Sequence, residues 1–200
     1  MGYSPRFAQA LQDAANLHAT QCRKGTDTPY IAHLLAVTAI AIEHGATEDE
    51  AIAALLHDAV EDQGGKETLR LIRDRYGDSV ANIVDGCSDA DETPKPPWRQ
   101  RKDAYVAHLG QASPSVRLVA AADKLHNVRD VLASYRELGE NLWPRFSGGR
   151  AGTLWFYRAV TDALRGAARP EETHLIALIS ELDAAVSTLE REASVGRPEA

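Results

Sequence analysis

Apolar side chains recur every three or four positions along almost the whole chain, and nowhere do apolar and polar residues alternate for long enough to argue a strand. The pattern predicts an all-α protein. A first helix is expected over about 5–22, with Phe7, Leu11, Ala14 and Leu17 on its buried side, ending in the turn-rich stretch KGTDTP. A second covers about 31–44 and stops at Gly45. Thr47 followed by Glu50 reads as a capping box, which starts a third helix with the apolar stripe Ile52, Leu55, Leu56, Ala59 and Val60 and a terminus at Gly64-Gly65. Shorter helices are expected at about 66–76 and 78–87. The charged, proline-rich segment 88–97 lacks apolar periodicity and reads as a loop. After a helix over about 98–109, Ser113-Pro114 supplies an N-cap with proline in the first turn for a long helix to about 138. Residues 139–150 break the pattern. Two last helices, about 153–168 and 171–193, close the fold, and 194–200 should fray. With no internal repeat and no linker composition, 1–200 reads as one domain with its core over about 6–168.

Composition narrows the class. The 200 residues are 44% hydrophobic and 26% charged, enough to bury roughly two-thirds to three-quarters of the unfolded surface. Against 29 Asp and Glu stand 22 Lys and Arg, a net charge of −7, so no global field favours nucleic acid or an anionic membrane. An anionic ligand would need local clusters of Arg and Lys. Cys22 and Cys87 are the only cysteines, with no CxxC or zinc-type spacing, which fits a reducing cytoplasm better than a disulfide framework. No export signal opens the chain and no stretch approaches 18 apolar residues, so neither export nor a membrane span is expected. Nothing in the chain specifies an oligomeric state.

The segment that carries chemistry is LLHDAVED, residues 55–62. On a continuous helix His57 and Glu61 are neighbours at i,i+4, as are Asp58 and Asp62, so four ionisable groups would form one patch beside the apolar stripe. Burying three carboxylates without positive charge is prohibitive. A divalent cation meets that demand, and an adjacent His-Asp pair offers it one nitrogen and one oxygen. His33, among the apolar residues of PYIAHLLAV, is a candidate second imidazole. Asp123, directly after Leu118-Val119-Ala120-Ala121-Ala122, is a candidate second carboxylate. Two nitrogens and two oxygens leave room for water and substrate, a donor set suited to manganese or iron over structural zinc.

His33, His57-Asp58 and Asp123 together resemble the H…HD…D signature of the HD superfamily of metal-dependent phosphohydrolases, which are helical bundles. HDAVED is similar to the HDxxED motif of RelA/SpoT-type hydrolase domains. Arg23-Lys24-Gly25, Tyr30-Ile31-Ala32-His33, Tyr76-Gly77-Asp78-Ser79-Val80 and Ala122-Asp123-Lys124-Leu125-His126-Asn127 agree with it. The chain is thus similar to small alarmone hydrolases, the group of the metazoan SpoT homologue. That resemblance implies hydrolysis of the 3′-pyrophosphate of ppGpp or pppGpp to GDP or GTP and pyrophosphate, with Mn2+. It implies metal ligation by His33, His57, Asp58 and Asp123, with Glu61 and Asp62 positioning and deprotonating the attacking water.

The resemblance also implies substrate contacts at Arg23 and Lys24, where the structural alternative is a helix C-cap, and at Lys102, Lys124 and Asn127. The basic clusters Arg23-Lys24, Arg99 to Lys102, and Lys124 with Arg129 fit a polyphosphate ligand. Trp98, Trp155, Phe156 and Tyr157 are candidates to stack on a base, although Trp155 and Tyr157 at this spacing also suit a core. His18, His44, His108 and His174 read as structural or exposed, and His126 as a supporting donor to the metal ligands. Leu34, Gln63 and Gly25 depart from residues frequent in the family, the last near base recognition. The alternatives are an adenosine alarmone or NADPH as substrate, another HD nucleotide phosphohydrolase, or a non-catalytic nucleotide-sensing module.

Overall fold

The computed structural model describes residues 2–88 and 96–195. Most of the expected loop at 88–97, and the tail from 196 to 200, lie outside the described residues. Ten α-helices run through the rest. They are α1 (Pro5–Leu17), α2 (Ile31–Glu43), α3 (Glu48–Leu56), α4 (Ala59–Asp62), α5 (Gly65–Tyr76), α6 (Asp78–Cys87), α7 (Trp98–Leu109), α8 (Pro114–Leu138), α9 (Gly149–Ala167) and α10 (Thr173–Val195). A 3-10 helix, Gly139–Arg145, joins α8 to α9 inside the expected break. The last helix continues through 194 and 195, which were expected to fray.

Local chemistry sets most of the ends. Ser4 accepts from the Arg6 N–H ahead of Pro5, the Thr47–Glu50 capping box opens α3, and Ser113 accepts from Val116 N–H ahead of Pro114. Two expected helices are shorter than periodicity predicted. The first ends at Leu17, five residues early, and a loop folds back through a single antiparallel bridge between Cys22 and Pro29. Arg23-Lys24 therefore sit on a hairpin-like loop, and the helix-terminus alternative for them is overturned. The third ends at Leu56, so HDAVED is not the middle of one helix. The His57 Nδ1 lies 2.9 Å from the Ala54 carbonyl, the acceptor that a helical Asp58 N–H would use, and α4 starts afresh after Asp58.

The long helix α8 is central and packs against α2, α3, α6, α9 and α10. From Val116 to Asp123 every residue is buried, which is why its apolar positions surround the helix rather than lining one stripe. The small side chains of Ala120, Ala121 and Ala122 let neighbouring helices approach closely, and α2 and the end of α3 come to its side. On the far side α7 is locked to α9 by Trp98, whose ring lies where a Cβ at Gly148 would be, 2.6 Å away.

Candidate active site

Three helices bring the ligand candidates together. His33 enters from the first turn of α2, His57 and Asp58 from the break after α3, and Asp123 from α8. The His33 Nε2 lies 3.2 Å from Asp123 Oδ1 and 3.4 Å from Asp58 Oδ2. The His57 Nε2 lies 3.1 Å from Asp58 Oδ2 and 3.6 Å from Asp123 Oδ1. Two ligands about 2.1 Å from one cation in adjacent octahedral positions are about 3.0 Å apart, so this spacing fits donors converging on a common centre.

The hydrogen bonds around the cluster assign the free nitrogens. The Ala54 carbonyl can only accept, so His57 Nδ1 is the N–H, and its Nε2 is buried with no aligned hydrogen bond. His33 Nδ1 meets His126 Nδ1 at 2.8 Å, which leaves the His33 Nε2 facing the carboxylates when Nδ1 donates. His126 thus contacts the candidate ligand His33. Burial and the neighbouring His33 push its pKa down to about 4, keeping it neutral. Tyr30, unassigned from sequence, donates its hydroxyl to Asp58 Oδ2 at 2.6 Å.

The electrostatics ask for positive charge. Burial opposes ionisation of Asp58, yet His57 and His33 hold its pKa well below the usual carboxylate range. Asp123 is likewise held low against burial, by Lys124 and the two histidines. Burial disfavours a charged His57, and the two carboxylates outweigh it and raise that imidazole's pKa well above its ordinary value. Such a donor set fits a divalent cation.

Beside the cluster lies a cleft of about 650 Å³ whose lining includes Arg23, Lys24, His33, Asp62, Asn127 and Arg145. Arg23 is tied to Asn127 Oδ1 at 2.8 Å and Asp130 Oδ2 at 2.9 Å, and Asn127 donates to Asp123 Oδ1 at 2.5 Å. Asn127 is thus one hydrogen bond, and Arg23 two, from Asp123 in the candidate ligand cluster. Asp62 reaches the cleft wall from α4, where burial raises its pKa despite a hydrogen bond from Gln21, with Asp58 and Glu61 pushing the same way. Glu61, its neighbour, is half-buried and does not line the cleft.

Lys102 and Lys124 do not line this cleft. Both ammonium groups sit over the rings of Tyr105 and Phe156, and Lys124 Nζ lies 2.5 Å from Asp123 Oδ2. The expected basic clusters are split accordingly. Arg99 pairs with Asp103 and Arg129 with Glu181, both on exposed faces. Of the aromatic candidates, only Tyr157 lines the cleft, while Trp98 and Trp155 pack edge to face at 6.2 Å. His18, read as structural or exposed, is buried beside Tyr30. Arg145 and Asp130 also line the cleft, and no motif in the sequence surrounds either.

Comparison with known proteins agrees with the geometry. The family described as HD domain matches residues 10–153. The Xenopus tropicalis protein named guanosine-3′,5′-bis(diphosphate) 3′-pyrophosphohydrolase MESH1 is 40% identical over 126 residues, 62% of this chain and 68% of that protein. Its Danio rerio namesake is 38% identical over 126 residues, 62% of this chain and 67% of its own. A solved structure described as a metazoan orthologue of SpoT that hydrolyses ppGpp superposes with a TM-score of 0.69 at 27% identity, covering 90% of this chain and 97% of the other. The chain belongs to the HD-domain family, within the group of MESH1-type hydrolases that these relatives represent.

Proposed function

We propose that the protein is a metal-dependent hydrolase that removes the 3′-pyrophosphate from ppGpp and pppGpp, releasing GDP or GTP and pyrophosphate, with Mn2+ as the working metal. The observation that carries the reading is the convergence of His33, His57 and Asp58, with Asp123 facing both imidazoles, at histidine-to-carboxylate distances of 3.1 to 3.6 Å, beside a cleft that carries Arg23 and Lys24. The named activity of relatives that are 40% and 38% identical supports the substrate.

These four residues would hold the cation, which supplies a Lewis acid that lowers the pKa of an attacking water and offsets charge on the phosphoryl group. The chain's own groups do the rest. Asp62, exposed at the cleft wall with its pKa raised by partial desolvation and by Asp58 and Glu61, takes the proton of that water, and Glu61 one residue earlier helps orient it. Arg23 and Lys24 neutralise the nucleotide's phosphates, and Asn127 bridges Arg23 to the ligand Asp123. Lys124 screens Asp123, and Lys102 beside it serves the pyrophosphate side. No helix among the described residues is long and apolar enough to cross a membrane, and free thiols at Cys22 and Cys87 support a cytoplasmic setting.

The test is product identity. Incubation with Mn2+ and each of ppGpp, pppGpp, ppApp and NADPH, followed by anion-exchange separation, should give pyrophosphate and GDP from ppGpp at equal rates. Release of orthophosphate from ppGpp, or turnover of NADPH alone, contradicts the reading.

A further inference from the structure

The acid on the cleft wall is held by an amide whose own orientation is determined. Gln21 Nε2 donates to Asp62 Oδ2 at 2.7 Å. A carboxylate only accepts, so Gln21 must present its NH2 to Asp62 and its oxygen to the opposite side. That oxygen accepts twice more, from Gln63 Nε2 at 2.6 Å and from His18 Nδ1 at 2.7 Å. His18 Nδ1 is therefore an N–H, and Nε2 is the ring nitrogen on the far side. This Nε2 is buried with no hydrogen-bond partner, in a ring only 3% exposed. An unpaired ring nitrogen in the interior is unfavourable where an apolar side chain would pack without it. The ring is stacked 5.1 Å from Tyr30, which donates to Asp58, so both ends of α4, Asp58 and Asp62, contact residues of the segment 18–30.

We propose that Gln21 is a positioning residue that fixes the Asp62 carboxylate for proton transfer, with His18 and Gln63 locking the Gln21 amide in the required orientation. The inference rests on the assignment of Asp62 as the group that takes the proton of the attacking water. With Oδ2 engaged by Gln21, the second carboxylate oxygen is left for that water. Before folding, residues 18–21 and 62–63 are far apart in the chain; the loop that ends α1 early brings them together.

The test compares Gln21→Leu, His18→Leu and His18→Asn, each alone and combined with Asp62→Asn, reading kcat and KM for ppGpp and Mn2+ affinity by electron paramagnetic resonance. Gln21→Leu should lower kcat by about 10- to 100-fold with KM and Mn2+ affinity unchanged, as is typical for groups that orient a reacting side chain. His18→Leu should cost less, and His18→Asn should restore activity because its amide N–H can stand in for Nδ1. In the Asp62→Asn background Gln21→Leu should cost nothing more. The same factor lost in both backgrounds, or weakened Mn2+ binding in Gln21→Leu, overturns the proposal by making Gln21 a structural residue. If Gln21→Leu fails to fold, Gln63→Leu at its half-buried position carries the same comparison, and an unchanged kcat there counts against the amide lock. Loss of turnover in Asp62→Asn without a Gln21 effect sinks the positioning role alone. Full turnover in Asp62→Asn sinks the assignment of the base, and the positioning role with it.

Discussion

Two clusters of charged side chains tie helices together in this molecule, and they are built on opposite plans. Between α9 and α10, Arg158 reaches Asp183 Oδ1 at 2.5 Å, Ser187 Oγ at 3.0 Å, and Glu190 at 2.6 and 3.1 Å, while Arg165 takes the other Asp183 oxygen at 2.8 Å. Its acceptors lie at three- and four-residue spacing on one face of α10, and donors match acceptors. Around α2, α3 and α8, His33 and His57 instead turn their Nε2 atoms toward the oxygens of Asp58 and Asp123, and His57 Nε2 has no aligned hydrogen bond. The first arrangement is complete in itself. The second gathers imidazole nitrogens and carboxylate oxygens at one point, a donor set that fits a divalent cation. Charge content does not separate a structural cluster from a chemical one; the excess of acceptors directed to one point does.

The sharpest way to break this comparison is to remove one acceptor from the second cluster. Asp58→Asn should lower ppGpp turnover by about three orders of magnitude, since a bound metal contributes several kcal/mol of transition-state stabilisation. Arg158→Ala should leave kcat unchanged, measured at a temperature where both variants are folded. Arg23 probes the boundary between the two plans, because Asn127 and Asp130 satisfy it while it lines the cleft. Arg23→Ala should raise KM about tenfold, the effect of one charged hydrogen bond of roughly 1.5 kcal/mol, with kcat little changed. A KM left at its original value would place Arg23 with the structural cations.

For the saturated cluster the effect should fall on stability. Arg158→Ala should cost roughly 1–2 kcal/mol, lowering Tm by about 2–8 °C in a chain of this length, read by calorimetry. A smaller effect concerns pH. Hydrogen bonds from Arg158 and Arg165 hold the Asp183 pKa below the usual carboxylate value. A depressed folded-state pKa contributes stability that is fully present above the unfolded pKa of about 4 and is lost as pH falls through the folded value. The Tm difference between the protein and Arg158→Ala should therefore shrink as pH drops below about 4; a difference that grows there would contradict the cause assigned to the shift.

How far each region was legible from the chain follows from the same physics. Periodicity and caps sufficed where a helix end is a local event, as at Thr47 and Ser113. They failed at Leu56, because the Ala54 carbonyl is engaged by the His57 ring, and at Leu17, because the next residues pair across a loop with Pro29 and Tyr30. His33, His57, Asp58 and Asp123 were legible because ionisable groups in apolar surroundings demand partners. Gln21, Tyr30 and Arg145 were not: neutral or lone polar residues carry no such demand until the fold shows what they touch. The split of the basic residues was equally hidden, since Arg99 and Arg129 find local acids while Lys124 turns inward to Asp123.

The most direct measurement is Mn2+ titration of the protein, Asp58→Asn and Arg158→Ala by electron paramagnetic resonance, with circular dichroism confirming that each is folded. One tightly bound Mn2+ per chain is expected for the protein and for Arg158→Ala, and none at the same concentrations for Asp58→Asn. Stoichiometric binding retained by folded Asp58→Asn would contradict the claim that the His33, His57, Asp58 and Asp123 cluster is the metal centre.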